Sequence, residues 1–307
     1  MSEIVTVGWL TLDDIILPDR TYEPDIIGGG ALYSAIGARI WHHSVGIHSV
    51  TGKDHLDKIR RDIGEWQIDT TGISAIDGNG LQLWILHESA TAKQQIPKLS
   101  SSSALEMDRG RNSLPDKYKS AGRGFHIAPQ GSLSTLANIN CLSSLTSRPI
   151  ITVDVLSDSY VDPQLYIDLE FLAGVAAFLP SEVEINRLWA PGDIESWLAT
   201  QARKFDCHVA AKLGDQGSLV CEAGGKAVHR VPVFPVKVVD TTGAGDAYCG
   251  GFLAGLVDGR SVRECAAMGT VSASYVVEAR GALATGRPKP DERNSRLASV
   301  ISRIERG

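Results

Sequence analysis

Short apolar runs alternate along the chain with stretches whose apolar positions recur every three to four residues. Ile4-Val5-Thr6-Val7-Gly8 predicts a buried first strand, and Leu12-Asp13-Asp14-Ile15-Ile16-Leu17 continues extended up to Pro18. Gly28-Gly29-Gly30 then opens a helix in which Leu32, Ala35, Ile36 and Ile40 fall at helical spacing. Val45-Gly46-Ile47-His48-Ser49-Val50 predicts a second core strand, and residues 54–64 an amphipathic helix stopped at Gly64. Downstream, strands are expected at 150–154, 175–179, 209–213 and 236–239, and helices at about 133–145, 163–169, 262–279 and 291–304. Strand followed by helix, repeated, is the rhythm of an α/β fold whose parallel sheet is covered by helices on both faces.

One stretch breaks that rhythm. Gly80-Leu81-Gln82-Leu83-Trp84-Ile85-Leu86 reads as a strand, yet Leu99-Ser100-Ser101-Ser102-Ser103-Ala104 opens a polar loop through about Ser113 in which no helix is expected. Residues 72–112 therefore predict an extended β insertion that joins residues 11–27 in a small lid. Neither an internal repeat nor a linker divides the chain, so a single domain over 1–307 is expected.

Composition narrows the function classes. With 43% hydrophobic and 21% charged residues among 307, the chain has core enough for one large α/β domain. A net charge of −6 without long Lys or Arg runs speaks against a nucleic-acid partner held by general electrostatics. No apolar stretch has the length of a membrane span and the N-terminal residues lack a secretory pattern, so a cytoplasmic protein with no membrane partner is expected. Cys141, Cys207, Cys221, Cys249 and Cys265 are scattered, which predicts buried free thiols rather than disulfides or a zinc site. His42, His43 and His48 have no carboxylate or thiol at ligand spacing and are expected to be surface or core residues.

The chemistry concentrates in Asp240-Thr241-Thr242-Gly243-Ala244-Gly245-Asp246. The apolar run 236–239 predicts a strand, the two glycines a sharp turn, and a helix starts at Asp246. Backbone N–H groups of Ala244, Gly245 and Asp246 then point out of a helix N-terminus, where the macrodipole favours negative charge, and Gly243, Ala244 and Gly245 form an anion hole. A carboxylate at that place repels a phosphate unless it takes the proton from the group attacking the phosphate, which makes Asp246 a candidate general base. A capping Asp and two turn glycines are the other reading of the same residues. Gly250 and Gly251 in mid-helix predict close packing against a neighbouring element.

The whole string from Asp240 to Ala247, with Gly250-Gly251-Phe252 after it, resembles the second signature of the ribokinase-like (PfkB) family of carbohydrate and nucleoside kinases. Gly28-Gly29 before a small-residue helix is similar to the first signature, and the resemblance covers nearly the whole chain. It implies a doubly wound, mainly parallel sheet flanked by helices, with a small β-sheet lid. It also implies transfer of the γ-phosphate of ATP to an alcohol group of a small sugar or sugar-like acceptor. A nucleoside kinase of the same family, and a nucleotide-binding protein of this fold that has lost turnover, are the alternatives.

The resemblance further implies roles for single residues. Asp13, five residues after Gly8, reaches acceptor hydroxyls, with Gly28, Gly29, Tyr33 and Gln130 on the acceptor side. Lys212, Gly214, Gly217 and Thr242 belong to the nucleotide side, and Glu184 is associated with Mg²⁺, in part through water. A K⁺ ion near Asp240 and Thr242 and a lid-to-lid homodimer come from the resemblance alone. Ser181 and Glu184 are equally the pattern of a capping box, and Gly214 to Gly217 that of a plain hairpin. Gln130 and Asp154 end strands where open α/β sheets place ligands and, with Asp13, would make a polar acceptor pocket. Asp14 is expected as an outward neighbour, and Trp9 and Trp84 either pack or line the pocket. Tyr33 stands where many members have Asn, and Gly30 where ribokinases often have Lys, which speaks against ribose itself; Tyr33 and the tryptophans could equally stack on a nucleobase. The absence of a Gly-x-Gly-x-x-Gly after the first strand and of a Gly-x-x-x-x-Gly-Lys-Ser/Thr argues against dinucleotide oxidoreductases and P-loop kinases.

Overall fold

The computed structural model describes residues 2–89, 93–157 and 162–306. Among them the strands are β1 (Ile4–Val7), β2 (Thr11–Ile16), β3 (Tyr22–Gly28), β4 (Val45–Gly52), β5 (Asp69–Ile76), β6 (Leu81–His87), β7 (Lys93–Pro97), β8 (Gly124–Ile127), β9 (Ile150–Val153), β10 (Ala177–Phe178), β11 (His208–Lys212), β12 (Ser218–Cys221), β13 (Val228–Val231) and β14 (Glu305–Arg306). The α-helices are α1 (Gly30–Arg39), α2 (Leu56–Gly64), α3 (Ala104–Gly110), α4 (Asp116–Ala121), α5 (Ser132–Ser143), α6 (Glu182–Leu188), α7 (Ile194–Phe205), α8 (Ala244–Val257), α9 (Val262–Val276) and α10 (Pro290–Ile301).

One sheet has the order β14-β13-β12-β11-β10-β9-β8-β1-β4-β5, and a second has the order β3-β2-β6-β7. From β11 to β5 every pairing is parallel, while β12, β13 and β14 add antiparallel partners at one edge. Of the stretch 72–112 expected in the lid, β6 and β7 enter the small sheet, β5 pairs in the large one, and residues 90–92 lie outside the described residues.

The central strand β1 is apolar in both parities, so both faces can be covered. Val5 and Val7 pack with Ile139 and Leu142 of α5 and Leu198 of α7. Ile4 packs on the other side with Leu32 and Ile36 of α1 and Leu253 of α8.

Close packing fixes α8. A Cβ at Gly250 would lie 1.9 Å from the Ser34 carbonyl oxygen of α1, and one at Gly251 would lie 2.4 Å from Ser272 Oγ of α9. Neither contact leaves room for alanine, so the two mid-helix glycines that weaken α8 intrinsically are what let it sit between its neighbours.

Several expectations need correction. Residues 104–110 are helical: Ser103 accepts from the Glu106 N–H while the Glu106 carboxylate accepts from the Ser103 N–H, and Met107 anchors the turn in the core. The expected helix 163–169 is instead a pair of 3₁₀ turns, Pro163–Leu165 and Glu170–Leu172, separated by Leu169 in the left-handed region at φ 60°. The run 236–239 forms no strand; the Val239 N–H donates to the Val277 carbonyl at 2.7 Å. The signature helix begins at Ala244, not Asp246. Cys141 is exposed, whereas the other four thiols are buried. No helix among the described residues is long and apolar enough to cross a membrane.

Candidate active site

The parallel strands β1, β8, β9 and β11 end along one edge of the large sheet, and the small sheet reaches that edge through His87 and Lys93. Between them lies the N-terminus of α8. Gly243 precedes the helix at φ 74°, and a Cβ there would fall 2.1 Å from the Tyr33 ring, so conformation and space both require glycine. The Ala244 N–H, expected as an anion donor, turns back to the Thr241 carbonyl at 3.3 Å. Asp240 Oδ1 accepts from both the Thr242 N–H at 2.8 Å and the Thr242 hydroxyl at 2.7 Å, which locks the turn from below.

Two buried carboxylates, Asp13 and Asp246, both act on Tyr33 and Lys93 beside this turn. Asp246 lies in the first turn of α8, and a Cβ on Gly30 would approach its Oδ1 to 2.9 Å, so the bare backbone of Gly30 makes room for it. Burial pushes the Asp246 carboxyl up to about 6, against the pull of Lys212 and with the help of Glu184. Asp13 is 4% exposed and its Oδ1 has no hydrogen-bond partner. Burial pushes it up to about 7, opposed by the nearby Thr11 hydroxyl. Gly28 is needed here as well, since a Cβ would stand 2.3 Å from Asp13 Oδ2. Asp14 is not the outward neighbour expected: it is buried, accepts from Tyr22 at 2.7 Å and pairs with Lys98 at 2.7 Å. Burial raises its carboxyl, but the Lys98, Tyr22 and Asp25 hydrogen bonds outweigh it and hold it below the usual range.

On the opposite flank, Lys212 at the end of β11 forms a buried ion pair with Asp154 at the end of β9. Burial alone would lower the Lys212 ammonium; Asp154, Cys249 and Glu184 instead hold it above its ordinary range. Asp154 is thus tied to the lysine rather than grouped with Asp13 and Gln130. The Lys212 Nζ lies 3.5 Å from where a Gly245 Cβ would be, at the mouth of the α8 turn. Glu184 forms the capping box: its Oε2 accepts from the Ser181 N–H at 2.7 Å and from the Ser181 hydroxyl. Burial and then the Asp154 charge raise its carboxyl. Among the described residues no group of three His, Cys, Asp or Glu side chains is arranged to hold a metal. Mg²⁺ bound with a triphosphate takes most ligands from phosphate and water and needs only one or two carboxylates, and the excess of negative charge shared by Asp154, Glu184 and Asp246 fits such an ion. Gly214 (φ 61°) borders open space, whereas Gly217 (φ 82°) is explained by the hairpin, because a Cβ there would meet the Val231 carbonyl at 2.1 Å.

The acceptor-side expectations divide. Gln130 is fully buried; its Oε1 accepts from Arg111 at 2.8 Å and its Nε2 has no partner. Tyr33 is 4% exposed and its ring lies on Gly243, so it supports the turn and has no open face for a ligand to stack on. Trp9 packs with Val50 and Met107 and donates to Asp108 at 3.0 Å, while Trp84 carries Lys98 over its ring.

Lys93 and His87 were not legible from the sequence. The Lys93 ammonium donates to Thr242 Oγ1 and lies 3.8 Å from Asp240 Oδ1, and burial lowers its pKa against the attraction of Asp240, Asp246 and Asp13. His87 Nε2 lies 3.9 Å from Asp240 Oδ2, an oxygen that otherwise has no hydrogen-bond partner. The pair expected to take a monovalent cation, Asp240 and Thr242, therefore receives a lysine from the small sheet.

The profile of the pfkB family carbohydrate kinases matches residues 25–290. A cytidine kinase of Thermococcus kodakarensis is 26% identical over 292 residues, covering 92% of this chain and 98% of that protein. Among solved structures, the Methanocaldococcus jannaschii nucleoside kinase, an archaeal member of the ribokinase family, superposes with a TM-score of 0.73 at 20% identity over 97% of this chain and 98% of that one. A ribokinase of Cryptococcus neoformans var. grubii, in complex with ADP, also gives 0.73, at 19% identity over 96% of this chain and all (100%) of that one. With a ribokinase-like fold and a family match over most of its length, the chain belongs to the pfkB family of carbohydrate kinases.

Proposed function

We propose that this kinase transfers the γ-phosphoryl group of ATP to an alcohol group of a small sugar or sugar-like acceptor. The observation that carries the reading is that two buried carboxylates, Asp13 and Asp246, act on the same two neighbours of the glycine turn that opens α8, Tyr33 and Lys93. In this reading Asp13 accepts a hydrogen bond from the acceptor and orients it, and Asp246 takes the proton of the attacking hydroxyl. The acceptor oxygen bonds to the γ-phosphorus as the bond to the β–γ bridging oxygen breaks, and ADP leaves with that electron pair. The N–H groups of Gly245 and Asp246 would face the phosphoryl group, and Lys212 with Gly214 would lie along the nucleotide. Mg²⁺, when bound with ATP, neutralises triphosphate charge; Glu184 and Asp154 are the carboxylates that would hold it through water. Lys93, carried by the small sheet, adds positive charge beside the reacting groups.

A nucleoside acceptor is the second reading, favoured by the likeness to a cytidine kinase along nearly the whole length of both chains. An ADP-release assay with Mg-ATP and a panel of sugars, polyols, sugar acids and nucleosides separates the two. Acceptor-dependent ADP is the expected result; ATP binding with no turnover on any acceptor would overturn the kinase reading. In the same assay Lys93→Ala is expected to lower kcat by on the order of 10²-fold, the loss typical of one preorganised charge-stabilising donor. An unchanged kcat would remove Lys93 from the reacting centre.

A further inference from the structure

Lys93 heads β7, and the register of β7 against β6 sets it opposite His87, so the small sheet brings both side chains to one place. That place is the base of the turn before α8. The Lys93 ammonium donates to Thr242 Oγ1 and lies 3.8 Å from Asp240 Oδ1, while His87 Nε2 lies 3.9 Å from Asp240 Oδ2. The Asp240 side chain is 1% exposed. Its Oδ1 also accepts from the Thr242 N–H and hydroxyl, so the carboxylate belongs to the framework of the turn itself.

A buried carboxylate behind an anion-binding helix N-terminus carries two penalties. It is desolvated, and its field opposes the approach of a triphosphate to the N–H groups of Gly245 and Asp246. A cation beside it removes both. Lys212, the buried lysine on the other flank, is committed to Asp154. Among the described residues Lys93 is the one lysine or arginine paired with Asp240. A K⁺ ion, which the family resemblance implies for Asp240 and Thr242, does not fit these oxygens as they stand. Thr242 Oγ1 gives its hydrogen to Asp240 and accepts from Lys93, and Asp240 Oδ1 takes two hydrogen bonds and faces the ammonium. An ion set at the same oxygens would stand against that ammonium, and the two charges repel. An ammonium group resembles K⁺ in charge and size and is held by the same kind of oxygen. Tethered to β7, it also needs no ion captured from solution.

We propose that Lys93 is a built-in replacement for a monovalent cation at Asp240 and Thr242, so that this kinase turns over without K⁺. The consequence for turnover rests on the phosphotransferase reading above; the contact itself does not. Lys93 acts through Asp240 as a positioning residue, balancing the charge of the turn so that its N–H groups remain attractive to the phosphoryl group.

The test follows Mg-ATP turnover with the best acceptor of the panel, with ADP read by chromatography so that no coupling enzyme responds to the salt. Buffers of equal ionic strength contain tetramethylammonium, Na⁺, K⁺ or NH₄⁺ as the sole monovalent cation. Wild-type kcat is expected to vary by less than about 3-fold among them, because no place for the ion is left. Lys93→Ala, which opens space beside the two oxygens, is expected to lose on the order of 10²-fold in tetramethylammonium and to recover about 10-fold or more in K⁺ or NH₄⁺. Lys93→Met fills that space without charge and is expected to lose as much and recover nothing. Melting curves in the same salts give a readout free of turnover: K⁺ and NH₄⁺ should raise the Tm of Lys93→Ala by more than they raise that of the wild type.

A larger gain of the wild type in K⁺ would overturn the proposal. So would a folded Lys93→Ala that no cation rescues, or equal rescue of Lys93→Met. If no acceptor is turned over, the kinase reading falls and the melting curves decide alone: a selective gain in Lys93→Ala sustains the assignment, and equal gains in both proteins overturn it. Should Lys93→Ala fold only in K⁺ or NH₄⁺, that too sustains it; should it fold in none of the salts, Lys93→Ser takes its place in the same comparison.

Discussion

Asp246→Asn is expected to reduce kcat by about 10³-fold, within the range that removal of a positioned general base commonly produces. Binding of ATP, followed by titration calorimetry, should stay within a few-fold of wild type. The two readouts separate because asparagine keeps the shape of the side chain and its tolerance in a first helical turn but cannot take a proton from the acceptor hydroxyl. If Asp246 only complemented the α8 dipole, the substitution would change stability by less than about 1 kcal/mol and leave turnover alone. Burial already lifts its carboxyl to about 6, so neutralising it relieves a desolvated charge and should leave the fold intact. Full turnover by a folded Asp246→Asn would assign the signature a structural task and move the search for the base to Asp13.

What was legible in the sequence is what lies close together along it. The turn from Asp240 to Asp246 and the helix behind it carry their chemistry within a few residues, and the mid-helix glycines announced the tight α1–α8–α9 contact that the structure contains. What escaped depends on register between distant segments. Lys93 meets Thr242 across 149 positions, and it does so only because β7 pairs with β6, β6 with β2, and the small sheet turns one face to α8. In the sequence it is one charge in a polar stretch, indistinguishable from a solvated one. Arg111 was hidden by reading 99–113 as a loop, although Ser103 with Glu106 carried the capping-box signal that would have placed α3 before it. The reverse error at 236–239 has the same origin: β-branched residues favour a strand only where a neighbour supplies hydrogen bonds and a packed face, and Val238 and Val239 are exposed. Tyr33 shows how a departure from a family pattern becomes intelligible through packing, because its ring fills the space under Gly243 that any side chain at that glycine would occupy.

Asp13→Asn is expected to lower kcat/KM for the acceptor by at least about 10²-fold and, at pH 8, to raise the melting temperature. The two effects have one cause. Asp13 is buried to 4% exposure with an oxygen that no donor meets, and its carboxyl is pushed up to about 7. Because the folded protein binds this proton more tightly than the unfolded chain, the contribution of Asp13 to stability is most favourable below about pH 4 and is lost as the pH rises through about 7. Above that window the folded state holds a desolvated charge worth on the order of 3–4 kcal/mol, which an acceptor hydroxyl would offset on binding. Asparagine removes the charge but leaves an amide imperfectly paired, so a net gain of about 1–2 kcal/mol, or roughly 1.5–3 °C, is expected at pH 8 and little at pH 5. Wild-type kcat/KM should fall as the pH drops through 7 and then 6, since Asp13 and Asp246 must both be ionised, and the steepness should diminish in Asp13→Asn. Melting curves at the two pH values, run beside the acceptor assay, decide the matter. A variant equally destabilised at pH 5 and pH 8 would mean that Asp13 is held by ordinary structural bonds, and the strained carboxylate would lose its place as the group that waits for the acceptor.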